Sequence, residues 1–351
     1  MHLFKTKKYW LLSILSIMLL LIVNGCGATS GDGDNKSDAN ASDESYEWDF
    51  NLHVNLDQGP GEYMNGFSEA VKEKTQGRLN ITPRPPGELP YTGMESVRVV
   101  GDRSIEMADA PVGYIAGDVK ESVIPTWPFL ASKDTDTFLT AMDTVLPYAE
   151  EEMDQRGIEI LFWLMDPPQR IWGVGAPVKN LNDLKGLKIR TFAPEQQTFL
   201  KEIGATPVSM SLSEVPAALQ RGVIDAAITG AVGAYAGKWS EIIDWGYTIP
   251  FSGSGAFMLV NSEALNELPD DIREVVDDEA RKWQEKGNSE TEELDNKAIE
   301  GFISDGVEIN EASHEDIEMA QNLMQDHWGE WAKEGGPEME EVLQEILDEI
   351  Q

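Results

Sequence analysis

The order of the elements predicted between residues 184 and 230 constrains the fold most. The run LKGLKIR at its start alternates as a short strand does. Pro194 suits a first helical turn and Gly204 suits a helix end, so a helix is predicted between them. A second helix ends near Gly222, and an apolar strand over residues 223–228 follows. A strand, two helices and a returning strand are typical of an α/β fold with a parallel sheet.

Arg190 closes the first of these strands, directly before the predicted helix start. Open α/β sheets bind ligands beyond the carboxyl ends of their strands. A guanidinium offers a planar fork of donors that matches a carboxylate. The alternative interpretation is a structural salt bridge with one of the many acidic residues. Phe192 lies at the same strand end, and we include it in the candidate site.

The residues before this segment alternate in the same way. Strand patterns over residues 48–56, 79–83 and 105–110 are separated by helical patterns. This order again predicts parallel strands, whose following loops lie at one edge of the sheet. We therefore expect the loop that contains Gln58 to face a cleft, together with the loop at residues 110–111. Two more short strands are predicted, over residues 158–164 and 256–260.

The N-terminus has the pattern of an export signal. Basic residues precede an apolar run over residues 9–23, which has the length of a signal-peptide core and is short for a membrane span. The only cysteine, Cys26, follows the small residue Gly25 in a pattern that resembles the lipidation site of bacterial lipoproteins. The alternative is a plain signal anchor with an incidental thiol. Residues 26–45, rich in Gly, Ser, Asp and Asn, predict a flexible acidic tether.

The charge balance excludes some partners. The chain has 63 acidic and 27 basic residues and a formal net charge of -36. Such an anionic surface argues against binding to nucleic acid or to anionic lipid headgroups.

The motifs argue against an enzyme. The histidines at 53, 314 and 327 have no metal-ligand spacing, and no P-loop or nucleophile-elbow motif stands in a suitable context. We predict no metal and no cofactor. A pair of catalytic carboxylates among the many acids, as in an exported hydrolase, is left open.

Several segments resemble a known family. The run DLKGLKIR…GATPVSMSLSEVPAALQRGVIDAAITG looks like the solute-binding proteins of tripartite ATP-independent periplasmic (TRAP) transporters, the DctP family. The segments TQGRL, GELP and GDRSIEMADAP resemble the first domain of that family. The resemblance implies a two-domain, periplasmic-binding-protein-like α/β fold with a ligand cleft and a long helix that spans both domains. A binding protein of another transporter class, such as the ABC type, is the alternative.

The resemblance also implies the roles of individual residues. Arg190 is the arginine that binds the solute carboxylate. Arg170 stands where many relatives have a further arginine, although its context PPQRIW departs from their Gly-x-Arg. Thr229 and Gly230 stand where many relatives have an asparagine that helps hold the solute. Trp127, in the segment IPTWPFL, is a candidate apolar wall for the solute, with core packing as the alternative.

The predicted organisation follows from these assignments. It comprises a lipoprotein signal peptide over residues 1–25, the tether over 26–45, a first domain over 46–168 plus 254–296, and a second over 169–253 plus 297–351. A long helix over residues 269–303 is expected to be interrupted at Gly287, and two terminal helices to pack on the second domain. The implied protein is anchored at the outer face of the cytoplasmic membrane. It captures a small organic acid, delivers it to the TRAP membrane permease subunits and catalyses no reaction.

Overall fold

The computed structural model describes residues 44–350, apart from residues 58 and 211 and the side chain of residue 213. These described residues belong to one compact unit. The predicted signal peptide, Cys26, most of the predicted tether and Gln58 lie outside them.

The described residues form one mixed sheet of nine strands that is covered by helices on both faces. The strands are β1 (Tyr46–Asn51), β2 (Leu79–Arg84), β3 (Met107–Pro111), β4 (Ile158–Gly173), β5 (Lys188–Thr191), β6 (Thr206–Ser209), β7 (Ala226–Gly230), β8 (Trp245–Asn261) and β9 (Glu308–Asn310). The helices are α1 (Pro60–Lys74), α2 (Ser96–Gly101), α3 (Thr135–Asp154), α4 (Pro194–Glu202), α5 (Val215–Gln220), α6 (Ala231–Ala236), α7 (Ser262–Asn266), α8 (Asp270–Ser304), α9 (His314–Gly335) and α10 (Pro337–Glu349).

The sheet has two parallel halves, as the element order predicts. Its strand order is β2-β1-β3-β8-β4-β7-β5-β6, and β9 pairs with β8. In the first half β1 pairs in parallel with β2 and β3, and in the second half β5 pairs in parallel with β6 and β7. The long strands β4 and β8 are antiparallel to each other and join the two halves. The carboxyl ends of β1 and β3 belong to one half, and those of β5 and β7 to the other.

The connection between the halves differs from the prediction. We predicted short strands over residues 158–164 and 256–260, but β4 has 16 residues and β8 has 17. Their pairing shifts register between Asp166 and Ile171, and Pro167 and Pro168 lie in this irregular stretch. Proline lacks the N–H that a regular ladder requires, so it is tolerated where the ladder is already broken. A bulged pair of strands, and not a loop, therefore crosses between the halves.

The predicted long helix is present as α8, but its predicted interruption at Gly287 is wrong. The helix continues for 35 residues, a length of about 52 Å. Gly287 lies where the helix crosses the sheet most closely, since a Cβ there would lie 2.6 Å from Cδ2 of Leu164. Near the other end of the helix, Phe302 stacks on Trp172 with the ring centroids 4.6 Å apart. The glycine allows close packing and does not break the helix, and α8 spans both halves of the sheet.

The terminal helices pack more widely than predicted. We expected α9 and α10 to lie on the second domain alone. Nε1 of Trp328 on α9 instead donates a 3.0 Å hydrogen bond to the carbonyl oxygen of Pro128, and α10 packs against α3. Both contacted segments belong to the predicted first domain. None of the helices described is both long enough and apolar enough to cross a membrane.

Candidate functional site

Arg190 occupies the end of β5, and main-chain carbonyl groups hold its side chain in place. Its Nε donates a 3.0 Å hydrogen bond to the carbonyl oxygen of Met210, just after β6. Its Nη1 donates a 2.8 Å hydrogen bond to the carbonyl oxygen of Ile228 in β7. The guanidinium is therefore fixed between the ends of two neighbouring strands, where the strand-end rule places a ligand.

The charge of Arg190 has no internal counter-ion within the described residues. Arg190 is only 4% exposed, yet none of the ion pairs in this part of the chain includes it. Burial lowers the pKa of Arg190 from its usual value to about 10, while the nearby Tyr114 hydroxyl acts in the opposite direction. A buried cation is costly unless an anion pairs with it. The site is therefore suited to an anion supplied from outside.

Phe192 contributes an aromatic face next to this cation. The Cζ atom of Arg190 lies 5.1 Å from the centroid of the Phe192 ring, within the range of a cation–π contact. The Phe192 side chain is 42% exposed, so it also presents apolar surface to solvent. The structure thus brings together Arg190 and Phe192, as the sequence indicated.

The strand register places Thr229 and Gly230 on neighbouring positions of β7. Thr229 is 7% exposed and lies directly across from Arg170 of β4. A Cβ added at Gly230 would lie 3.3 Å from the carbonyl oxygen of Pro167. Gly230 therefore allows the end of β7 to approach the irregular stretch of β4.

Arg170 differs from Arg190 because it has a carboxylate partner inside the protein. Its Nη2 forms an ion pair with Oδ2 of Asp295 on α8, and its Nη1 donates a 3.3 Å hydrogen bond to the carbonyl oxygen of Thr248. Burial raises the pKa of Asp295, while Arg170 opposes that change. The structure therefore places the predicted solute ligand Arg170 in an internal ion pair with the long helix.

The Arg170–Asp295 pair lines a cavity of about 320 Å³ between β4 and α8, which we call the β4–α8 cavity. Asp166 also lines it. Within the described residues, the buried Nε of Arg170 and Oδ1 of Asp295 have no hydrogen-bond partner.

The structure places Trp127 in the core and not at a ligand surface. Its side chain is 2% exposed, and its ring packs edge-on against Trp331 of α9 with the centroids 5.3 Å apart. The sequence left core packing open for Trp127. Trp127 is covered by α9, and the Trp328–Pro128 hydrogen bond joins residues 200 apart in the chain. Local sequence therefore did not reveal this packing.

The loop at the carboxyl end of β1 reaches the second half of the sheet. Gln58 lies outside the described residues, but the adjacent Gly59 has a φ of +42°. A Cβ at Gly59 would lie 3.4 Å from Cγ1 of Val232 in α6. The two halves of the sheet therefore come into contact around the candidate site.

Sequence reasoning missed a polar cluster at the ends of β1 and β3. The backbone N–H of His53 donates a 2.9 Å hydrogen bond to Oδ1 of Asp109, and its Nδ1 pairs with the other carboxylate oxygen. Ser254 donates a 3.0 Å hydrogen bond from its hydroxyl to Oδ2 of the neighbouring Asp166. The sequence feature that could have revealed this cluster is Asp109 itself, a charged residue in the middle of an apolar strand.

Tyr114 lies near both His53 of this cluster and Arg190. The rings of His53 and Tyr114 meet edge-on with centroids 6.4 Å apart, and Tyr114 acts on Arg190 as described above. Burial acts to lower the pKa of His53, but the carboxylates of Asp109 and Asp166 outweigh it and raise that pKa. The candidate site thus has a cationic side at Arg190 and an acidic side around His53.

The chemistry of this arrangement is that of anion binding. Among the described residues, no group of three or more His, Cys, Asp or Glu side chains is placed to hold a metal ion. The features brought together are a fixed guanidinium, an exposed aromatic ring and, beyond Tyr114, a polar cluster around His53.

Comparisons with known proteins agree on one family and one fold. The sequence profile of DctP, the bacterial extracellular solute-binding protein family 7, matches residues 54–334. A solute-binding protein from Albidiferax ferrireducens is 27% identical over 219 residues, which cover 61% of this chain and 63% of that protein.

Solved structures share the fold. An extracytoplasmic solute receptor from Bordetella pertussis that binds pyroglutamic acid superposes with a TM-score of 0.79 at 21% identity, covering 87% of this chain and 100% of the receptor. A TRAP periplasmic solute-binding protein from Sulfurospirillum deleyianum with bound succinate gives 0.75 at 20% identity, covering 86% of this chain and 99% of that one. The predicted two-domain α/β fold is thereby confirmed. The domain boundaries within the sheet stay predictions.

Proposed function

Because the chain belongs to the DctP family of bacterial extracellular solute-binding proteins, we propose that it is the solute receptor of a TRAP transporter. In this proposal it captures a small organic acid outside the cytoplasm and delivers it, chemically unchanged, to the membrane permease subunits. The profile match over most of the described residues supports the family-level part of the proposal.

The observation that carries the ligand class is the unpaired Arg190. Two main-chain carbonyls orient the guanidinium, and no carboxylate in the described part of the chain neutralises it. Hydrogen bonds to a charged group each contribute about 1.5–3 kcal/mol, and burial strengthens them when the geometry is good. A carboxylate is the common anion that matches the planar fork.

The mechanism follows from the way the two halves of the sheet surround Arg190. The guanidinium belongs to the second half, while Tyr114 and Gly59 belong to loops of the first half. A solute carboxylate that settles on Arg190 is enclosed when the two halves close over it by hinge motion. The long strands β4 and β8 connect the halves and provide the place for that hinge. Closure removes water from the ion pair, which increases its strength.

The proposed location depends on residues outside the described part of the chain. We propose that cleavage after Gly25 leaves Cys26 as a lipid anchor at the outer face of the cytoplasmic membrane. Metabolic labelling with a radioactive fatty acid tests this. The label should appear on the chain and should be lost in Cys26→Ser, and a Cys26→Ser chain that still carries label would contradict the anchor.

A thermal-shift screen of the purified chain tests the ligand class. The panel contains small carboxylic acids, each matched with its uncharged primary amide, together with neutral sugars. A ligand present at 100 times its dissociation constant stabilises the folded state by about 2.7 kcal/mol, which is a visible shift in melting temperature. We expect shifts with acids and none with the matching amides. Shifts with sugars or amides but with no acid would refute the carboxylate proposal.

A further inference from the structure

We propose that the site selects organic acids with one carboxylate over dicarboxylates, and favours acids whose far end carries a hydroxyl or N–H group. This inference rests on the proposed function, since it narrows the class of acid that Arg190 binds. The reason is that Arg170 already has an acidic partner inside the protein, whereas Arg190 has none among the described residues.

Both arginines lie on the same face of the sheet. Arg190 pairs with Ala227 of β7, and Arg170 pairs with Thr229, two residues further along the same strand. Residues two apart on a strand point to the same face. Two free guanidinium groups at this spacing would suit a ligand with two carboxylates.

Only one of these two cations is free within the described residues. Asp295 neutralises Arg170 and occupies its Nη2, whereas Arg190 has no such partner. Asp295 is 3% exposed and projects from α8. The ion pair is therefore part of the packing between α8 and the sheet. The internal carboxylate thus stands where a second ligand carboxylate would otherwise find its counter-ion.

The acidic cluster around His53, which contacts Tyr114 near Arg190, gives the second reason. Asp109 is fully buried against His53, and Asp166 lies beside them with its Oδ2 bonded to Ser254. The positive charge of a protonated His53 is matched by Asp109. Asp166 leaves no net positive charge on this side for another anion.

The same cluster favours hydrogen-bond donors. A carboxyl group such as Asp166 has several acceptor positions, and its bond to Ser254 occupies one of them. A ligand hydroxyl or N–H can donate there, whereas a ligand carboxylate would add a like charge where burial already raises the pKa of Asp166. Placing like charges together costs several kcal/mol in a desolvated site, so a discrimination of about tenfold or more is expected.

The fold alone does not decide this question. Structures with the same fold contain either pyroglutamic acid, with one carboxyl group, or succinate, with two. The distribution of charge in this chain is what separates the two classes here.

Isothermal titration calorimetry with matched acids tests the inference. The probes are gluconate against glucarate and succinamate against succinate, because each pair shares a carbon skeleton and differs in one carboxylate. For the purified chain we expect the monocarboxylate of a pair to bind at least about tenfold more tightly. Asp295→Asn frees the charge of Arg170 and should reduce this ratio by several-fold. Glu279→Gln removes another buried acid from α8 without touching Arg170, and it should leave the ratio unchanged.

The outcomes separate the two levels of the proposal. Equal or tighter binding of the dicarboxylates overturns the selectivity while leaving the organic-acid function in place. An unchanged ratio in a folded Asp295→Asn chain overturns the role given to the Arg170–Asp295 pair. Absence of binding by every acid of both classes overturns the inference together with the proposed function.

Discussion

Replacing Arg190 by methionine should remove solute binding and change the stability of the ligand-free protein by less than about 3 kcal/mol. Burial lowers the pKa of Arg190 to about 10, a decrease that corresponds to about 3 kcal/mol at about 1.4 kcal/mol for each pH unit. Because the lowered pKa belongs to a base, the charged form destabilises the folded state at neutral pH. Methionine removes this cost while keeping most of the side-chain volume.

The lost hydrogen bonds act in the opposite direction. The carbonyl groups of Met210 and Ile228 lose their partners, and a buried polar group left unpaired costs about 1–3 kcal/mol. The two opposing contributions are similar in size, so the free energy of unfolding should change by less than about 3 kcal/mol.

Arg170→Met is the matched variant, because Arg170 is also an arginine of the same sheet face and its side chain is only 14% exposed. Its removal leaves Asp295 as a buried carboxylate without its counter-ion. Breaking such a pair from one side costs about 3–5 kcal/mol. We therefore expect Arg170→Met to be clearly less stable than Arg190→Met.

Urea denaturation of the ligand-free proteins measures both values by linear extrapolation. Each variant is then titrated with an acid that shifts the melting temperature of the unmodified chain, and the shift should vanish in Arg190→Met. A loss of stability in Arg190→Met as large as that in Arg170→Met would refute the reasoning, since Arg190 would then be a structural residue. A retained ligand shift would equally refute its role as the anchor.

Two further predictions concern the pH dependence of folding and the packing of β8. Burial acts to lower the pKa of His53, but Asp109 and Asp166 raise it above 6.5. Tyr114 is the other titratable side chain in contact with the His53 ring. The stabilising contribution of His53 is therefore complete below about pH 6.5 and is lost as the pH rises through the raised value. His53→Gln should lower the free energy of unfolding most at acidic pH, and an equal loss in alkaline buffer would contradict this. Gly253→Ala would place a Cβ 2.1 Å from the Phe138 ring and should cost about 1–3 kcal/mol in thermal unfolding, whereas Ala at an open glycine such as position 117 should cost far less.

The sequence was sufficient for the features that depend on neighbouring residues. Alternation and glycine or proline positions predicted the two parallel halves of the sheet, because strand and helix periodicities are local properties. The same local order placed Arg190 at a strand end before a helix. Family resemblance then supplied the two-domain fold and the long helix.

Local patterns failed where packing decides the outcome. Glycine at position 287 indicated a helix break. The helix α8 continues through it, and the missing side chain allows close contact with Leu164. Pro167 and Pro168 disfavour a regular strand, but they lie in a bulged stretch of β4 that pairs with a distant strand. In each case a tertiary contact outweighed the local preference.

The difference between the two arginines was decided by the tertiary structure alone. Arg170 and Arg190 are both arginines that the family resemblance assigned to the solute. Asp295 lies 125 residues from Arg170 in the chain, and the His53–Asp109 pair joins residues 56 apart. Electrostatic pairing depends on distance in space and on burial, neither of which a linear pattern contains. The sequence by itself therefore predicted Arg190 as the place for an anion, and only the tertiary structure decided that Asp295 pairs with Arg170 while Arg190 has no acidic partner among the described residues.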